Sequence, residues 1–110
     1  MNLSIKLTLE NEKVFFGPGT YTLLRFVKEA GSLLTASQMM GLSYSKARKM
    51  IKNYKEQTGF DAIISKVGGE NGGSAILTDH AIDFMEKYEK LVNQSEDIIQ
   101  QLYRKIYEEA

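Results

Sequence analysis

The chain has 110 residues, with 14 basic and 14 acidic side chains, one histidine and no cysteine. This size suits one domain. The missing thiols exclude disulfides and cysteine-ligated zinc, and His80 alone leaves little for imidazole metal sites or histidine-based catalysis. Apolar residues at 43% and charged residues at 25% mark an ordinary globular chain. No run approaches a membrane span, and the alternating N-terminus is no signal peptide, so a cytoplasmic protein is expected.

Residues 3–9 alternate apolar and polar side chains, which predicts a strand with one covered face. Asn11 turns the chain, and residues 13–16 return as a second strand. Gly17-Pro18-Gly19 breaks it. The period then becomes helical from Thr20 to Ala30, with Leu23, Leu24, Phe26, Val27 and Ala30 on a broad apolar face, and Gly31 ends the helix.

Thr35 opens the next helix, with Gln38 three residues later in the capping-box arrangement. Gly41 closes this short element, and Ser43 caps a third helix that runs to about Thr58 and stops at Gly59. Residues 62–67 and 74–78 read as strands. Between them, residues 68–73 hold four glycines and an Asn-Gly pair, a hairpin connection in which φ > 0 is cheap. Thr78 caps the last helix, and Asp79 suits its positive end. At ~1.5 Å per residue that helix reaches roughly 45 Å. The predicted order is β-β-α-α-α-β-β-α.

Residues 35–54 fit a helix-turn-helix. Gly41 takes the turn, and Ala36, Met40, Leu42, Ala47 and Met50 are apolar where two steeply crossed helices touch, with Ser37 small at their closest approach. A helix before this unit and a Gly-rich hairpin after it make the winged form. The charges agree. Residues 43–66 carry six basic against two acidic side chains, whereas residues 79–110 carry four against eight. On the third helix, Tyr44, Ala47, Met50, Ile51, Tyr54 and Thr58 fall on one side at 100° per residue. Ser45, Lys46, Arg48, Lys49, Lys52 and Lys55 fall on the rest.

Such a face suits the DNA major groove, where cations displace the phosphates' counterions. Ser45, Lys46 and Lys49, toward the helix start, are best placed for base edges. At the hairpin, Lys66 at the base and Asn71 at the tip are candidate phosphate contacts.

Other motifs carry less. Gly17-Pro18-Gly19 before a helix resembles a dinucleotide-binding turn, but residues 31–45 hold no second strand with its acidic end. His80 has no partner ligand and is expected at the surface. No nucleophile, base and orienter assemble, so an enzyme is not expected. No cofactor or metal is expected either.

The last helix carries a second message. Ala81, Met85, Tyr88, Val92, Ser95, Ile99, Leu102 and Ile106 repeat at alternating spacings of four and three. Phe84, Leu91 and Ile98 widen the stripe. Its first part is expected on the chain's own core. Val92, Ser95, Ile99, Leu102 and Ile106 are expected to pair with a second copy, giving a homodimer.

Several of these residues have a familiar arrangement. Gly31-Ser32, the turn from Ala36 to Ser43, Ser43-Tyr44, Gly68-Gly69, Gly72-Gly73-Ser74-Ala75 and Leu77-Thr78 resemble the N-terminal DNA-binding domain of the ModE-type molybdate-responsive regulators. More distantly, the chain is similar to the winged helix of LysR-type regulators. The resemblance covers about residues 3–92. It departs at Lys66, where the family usually has arginine, and at Asp79-His80.

The resemblance implies an α+β fold: a winged helix-turn-helix with an N-terminal β-hairpin and a long C-terminal dimerisation helix. Residues 1–78 would form the DNA-binding domain, and residues 79–110 the dimerisation helix packed on it. It implies a homodimeric, sequence-specific transcription regulator of double-stranded DNA. Ser32, Thr35 and Gln38 would set the first helix of the motif against phosphates. Ser43, Tyr44, Ser45, Lys46, Arg48, Lys49 and Lys52 would face the groove. The family's molybdate-binding domains do not follow within this chain, so molybdate is not an expected ligand. The alternative is a winged-helix protein-interaction module that does not bind DNA.

Overall fold

The computed structural model describes residues 1–66 and 73–109. Strand β1 (Leu9–Glu10) pairs antiparallel with β2 (Val14–Phe16), with an irregular register between its two rungs. The longer strand predicted over residues 3–9 does not form. Residues 3–8 have no strand partner and lie along the last helix instead. There the Tyr88 hydroxyl donates to the Leu7 carbonyl at 2.8 Å, and the Tyr103 hydroxyl to the Met1 carbonyl at 2.9 Å. Alternation marks an extended chain with one covered face. It does not say whether a strand or a helix does the covering.

Helix α1 (Pro18–Ala30) starts two residues before the predicted Thr20. Proline suits the first turn, where its fixed φ is helical and its missing N–H is not needed. Gly31, at φ 68°, ends the helix in the left-handed region.

Helix α2 (Leu33–Met39) corrects the predicted cap. Ser32 is the N-cap, its hydroxyl accepting from the Thr35 N–H at 3.2 Å. The capping box of Thr35 and Gln38 therefore does not form. Thr35 sits inside the first turn, and both side chains are exposed. The early start places Leu33 in the core beside Val27, Ala36 and Ala47.

Helix α3 (Tyr44–Thr58) follows prediction: Ser43 accepts from the Lys46 N–H at 3.0 Å, and Gly59 closes the helix. Strands β3 (Ile63–Lys66) and β4 (Ser74–Leu77) form an antiparallel ladder, slightly shorter than predicted. Their connection, apart from Gly73, lies outside the described residues, and so does Asn71. The Ala75 N–H donates to the Gly31 carbonyl at 2.8 Å, tying β4 to the end of α1. Thr78 accepts from the Ala81 N–H at 3.1 Å and donates to the Asp61 carbonyl at 2.7 Å. One side chain thus caps α4 (Asp79–Tyr107) and anchors its start beside β3.

The core has two adjoining parts. Phe16, Leu24, Tyr54, Ala62, Ala81, Met85 and Tyr88 form one, and Leu23, Val27, Leu33, Ala36, Ala47 and Ala75 the other. Ile51, Ile63 and Leu77 pack against both. His80 is not the free surface residue expected from its position. Its Nδ1 lies 2.6 Å from the Tyr54 hydroxyl, and its ring stacks on Phe60 with centroids 4.2 Å apart. The turn after α3 brings Phe60 over it. Burial, and secondarily the charge of Asp83, push the Tyr54 phenol up to about 12.

Two measurements bear on the α2 cap and on Tyr54. Ser32→Ala should lower stability by about 1 kcal/mol in urea unfolding, while Thr35→Ala should cost less than about 0.5 kcal/mol. Equal losses would reassign the cap. Because folding raises the Tyr54 pKa, its contribution is complete below about pH 10 and is lost as pH rises toward 12. Tyr54→Phe should flatten the decline of stability across that window.

Candidate nucleic-acid interface

Small residues set the approach of α2 to α3. Ala36 and Ala47 are fully buried in one cluster, and Ser37 is buried with its hydroxyl donating to the Leu34 carbonyl at 2.7 Å. A bulky side chain at Ala36 or Ala47 would push α3 outward. Gly41 turns the chain at φ 67°, a conformation that strains any residue with a Cβ. The Leu42 N–H then reaches back to the Ser37 carbonyl at 2.9 Å.

α3 buries Ala47 and Tyr54 and half-buries Met50, Ile51 and Thr58. Tyr44, Ser45, Lys46, Arg48, Lys49, Lys52 and Lys55 are exposed. Tyr44, expected on the apolar side, is 42% exposed. The buried positions of α3 begin only at Ala47, so the first turn offers its ring no core. It meets Arg48 instead, whose guanidinium carbon lies 5.8 Å from the ring centroid. The i, i+4 spacing of an aromatic and a cation was a signal in the sequence for this contact.

The cations of α3 divide along its length. Lys52 lies 3.9 Å from Glu56, and Lys55 lies 3.1 Å from Asp61. These exposed pairs add little stability but partly offset the positive charge of the later turns. Lys46, Arg48 and Lys49 have no ion-pair partner among the described residues. The uncompensated charge therefore lies in the first half of the helix. An open groove of about 780 Å³ runs between α3 and β3, bordered by Tyr44, Ser45, Arg48, Lys49, Ile63 and Ser65. Lys66 is exposed at the end of β3.

Five of the expected site residues share this side: Tyr44, Ser45, Arg48, Lys49 and Lys52 border the groove. Lys46 is exposed on the adjoining side of α3, and Thr35 and Gln38 are exposed on α2. Ser32 does not join them, because it is buried and its hydroxyl is engaged as a cap. The Ser43 hydroxyl is engaged in the same way.

The seam expected on α4 is partly covered within the chain. Val92 packs on the core, and Ile99 is half-buried beside Leu3. Ser95 is half-buried too. Leu91, Ile98, Leu102 and Ile106 remain exposed, so the free apolar stripe is rotated from the predicted seam toward Ile98.

No family model matches the chain. Over 92 residues, 83% of its length, it is 28% identical to the DNA-binding transcriptional dual regulator ModE of Escherichia coli K12. The same identity holds for the transcriptional regulators ModE of Escherichia coli O157:H7 and Shigella flexneri. These relatives are regulators by name and not enzymes. The aligned part is 35% of each, so the chain spans about a third of the length of the curated relatives it matches. Among solved structures, ArgP from Mycobacterium tuberculosis superposes with a TM-score of 0.52 at 16% identity, over 77% of this chain and 30% of that one. The chain folds as a winged helix. In this winged helix, β3 and β4 are the wing, and α3 lies beside it with its unpaired cations outward.

Proposed function

We propose that the winged helix binds double-stranded DNA and regulates transcription, with α3 entering the major groove. The observation that carries this is the pair Arg48 and Lys49, exposed and unpaired among the described residues at the edge of the groove beside the wing, with Lys46 also exposed and unpaired in the first turn of the same helix. Cations so placed bind phosphates by releasing counterions, and the major groove is wide enough for a helix. The names of the curated relatives support the same reading. Ser45, Lys46, Arg48 and Lys49 face the bases or their flanking phosphates, and Lys52, Lys66, Thr35 and Gln38 the backbone. No described helix is long and apolar enough to cross a membrane, and we place the protein in the cytoplasm.

The protein acts as a dimer in this reading. Ile98, Leu102 and Ile106 are 66%, 53% and 56% exposed along the distal part of α4. A second copy covers such a stripe by isologous pairing. Two α3 helices related by that two-fold axis then meet a near-palindromic site, with half-site centres about 10 bp or a multiple apart. One observation favours the alternative, a protein-interaction module: Ile64 and Ile76, opposite each other on the wing, are 54% and 62% exposed. Electrophoretic shift with mixed genomic duplexes separates the two, since an interaction module leaves DNA unshifted.

Affinity for duplex DNA should fall steeply with salt. Replacing Lys46, Arg48 and Lys49 together with alanine should reduce the log–log salt slope by at least about 2, about 1 for each phosphate no longer neutralised. An unchanged slope would remove this face from the interface. Sedimentation equilibrium should give twice 12.4 kDa. Ile98→Glu with Leu102→Glu should yield a folded monomer, because a buried unpaired charge opposes association. A monomeric parent protein would refute the dimer.

A further inference from the structure

We propose that Arg48 is the residue of α3 that reads guanine, and that Tyr44 is its positioning residue. This rests on the reading of α3 as a DNA-binding helix. Three cations on the exposed face lack an acidic partner among the described residues: Lys46, Arg48 and Lys49. Of these, Arg48 is the one that lies over an aromatic ring, its guanidinium carbon 5.8 Å from the Tyr44 centroid.

The chemistry distinguishes them. A lysine ammonium is a compact, strongly hydrated point charge on a flexible stem and carries no fixed direction. A guanidinium is a planar fork that matches the O6 and N7 acceptors of guanine, and a ring that holds the cation leaves other N–H groups free to donate to them. The geometry of α3 directs the pair correctly. Tyr44 is its first residue, directly after the Ser43 cap, and Arg48 lies one turn on. Helical side chains lean toward the N-terminus, so Arg48 leans over Tyr44 toward the end of the helix that leads in helix-turn-helix docking. Both side chains border the groove beside the wing. The ring also restricts a side chain that otherwise loses rotamer freedom on binding.

The test uses a duplex selected by the whole chain from random sequence. Its affinity is compared with that for a scrambled duplex across a salt series. Arg48→Lys keeps the charge and loses the fork. It should reduce the preference for the selected site at least fivefold, leave the salt slope unchanged and relax selection at one G·C pair. Substituting 7-deazaguanine there should weaken the parent protein and leave Arg48→Lys little affected. Tyr44→Leu should shift specificity in the same direction without changing the slope, and Tyr44→Phe, which keeps the ring, should restore it. Retained preference in Arg48→Lys overturns the assignment of Arg48. Parent-like specificity in Tyr44→Leu overturns the role of Tyr44. If the parent protein binds no duplex at all, the DNA-binding reading itself fails, separately from this assignment.

Discussion

Four aromatic rings meet where the N-terminal hairpin, α3 and α4 converge, and the arrangement of the molecule depends on them. Phe16 is almost wholly buried, with its centroid 4.8 Å from Phe84, 4.9 Å from Tyr88 and 6.1 Å from Tyr54. Edge-on and tilted contacts of this kind add to the area each ring buries. They also fix direction, since a ring packed edge-on resists both rotation and sliding. The cluster fastens the C-terminal half of α3 to the first turns of α4. The N-terminal half of α3 is thereby presented on a braced helix, and the rest of α4 extends past the core with the N-terminal segment laid along it, in a molecule 61 Å long and 27 Å wide.

The candidate interface depends on a contrasting constraint, the absence of bulk. Ala36 and Ala47 let α2 and α3 approach closely, and Gly41 lets the chain turn between them. With α3 set down on small side chains, its long cations have nowhere to go but outward. Carboxylates on the same helix and in the next loop then meet Lys52 and Lys55, leaving the first turns the more positive. A chain of zero net charge can therefore present a local field suited to an anionic partner.

Much of this is legible in the residues. Ser43, Gly59, Thr78 and the apolar period of α3 place that helix and the start of α4 nearly where they are found. Local chemistry decides such features, because a cap bonds its own first turn and a left-handed residue ends its own last one. The cap of α2 is not legible in the same way, because Ser32 and Thr35 can both begin a helix. Leu33 makes the choice, since it has to reach Val27 and Ala47. Tyr44 escapes the pattern because periodicity assigns a side to every residue, whereas core is available only where another element arrives.

The sequence by itself determined the order of elements, the turn between α2 and α3, and the segregation of basic residues onto one helix. These are set by neighbours within a few positions, through backbone hydrogen bonds, steric limits on φ and helical spacing. Tertiary structure alone decided that residues 3–8 lie against α4 rather than in a sheet, that His80 stacks on Phe60, and that the open stripe of α4 turns toward Ile98. Each of those outcomes joins residues far apart in the chain. An apolar pattern says only that a face must be covered. Which element covers it depends on the whole fold, because burial is non-directional and rewards any surface that fits.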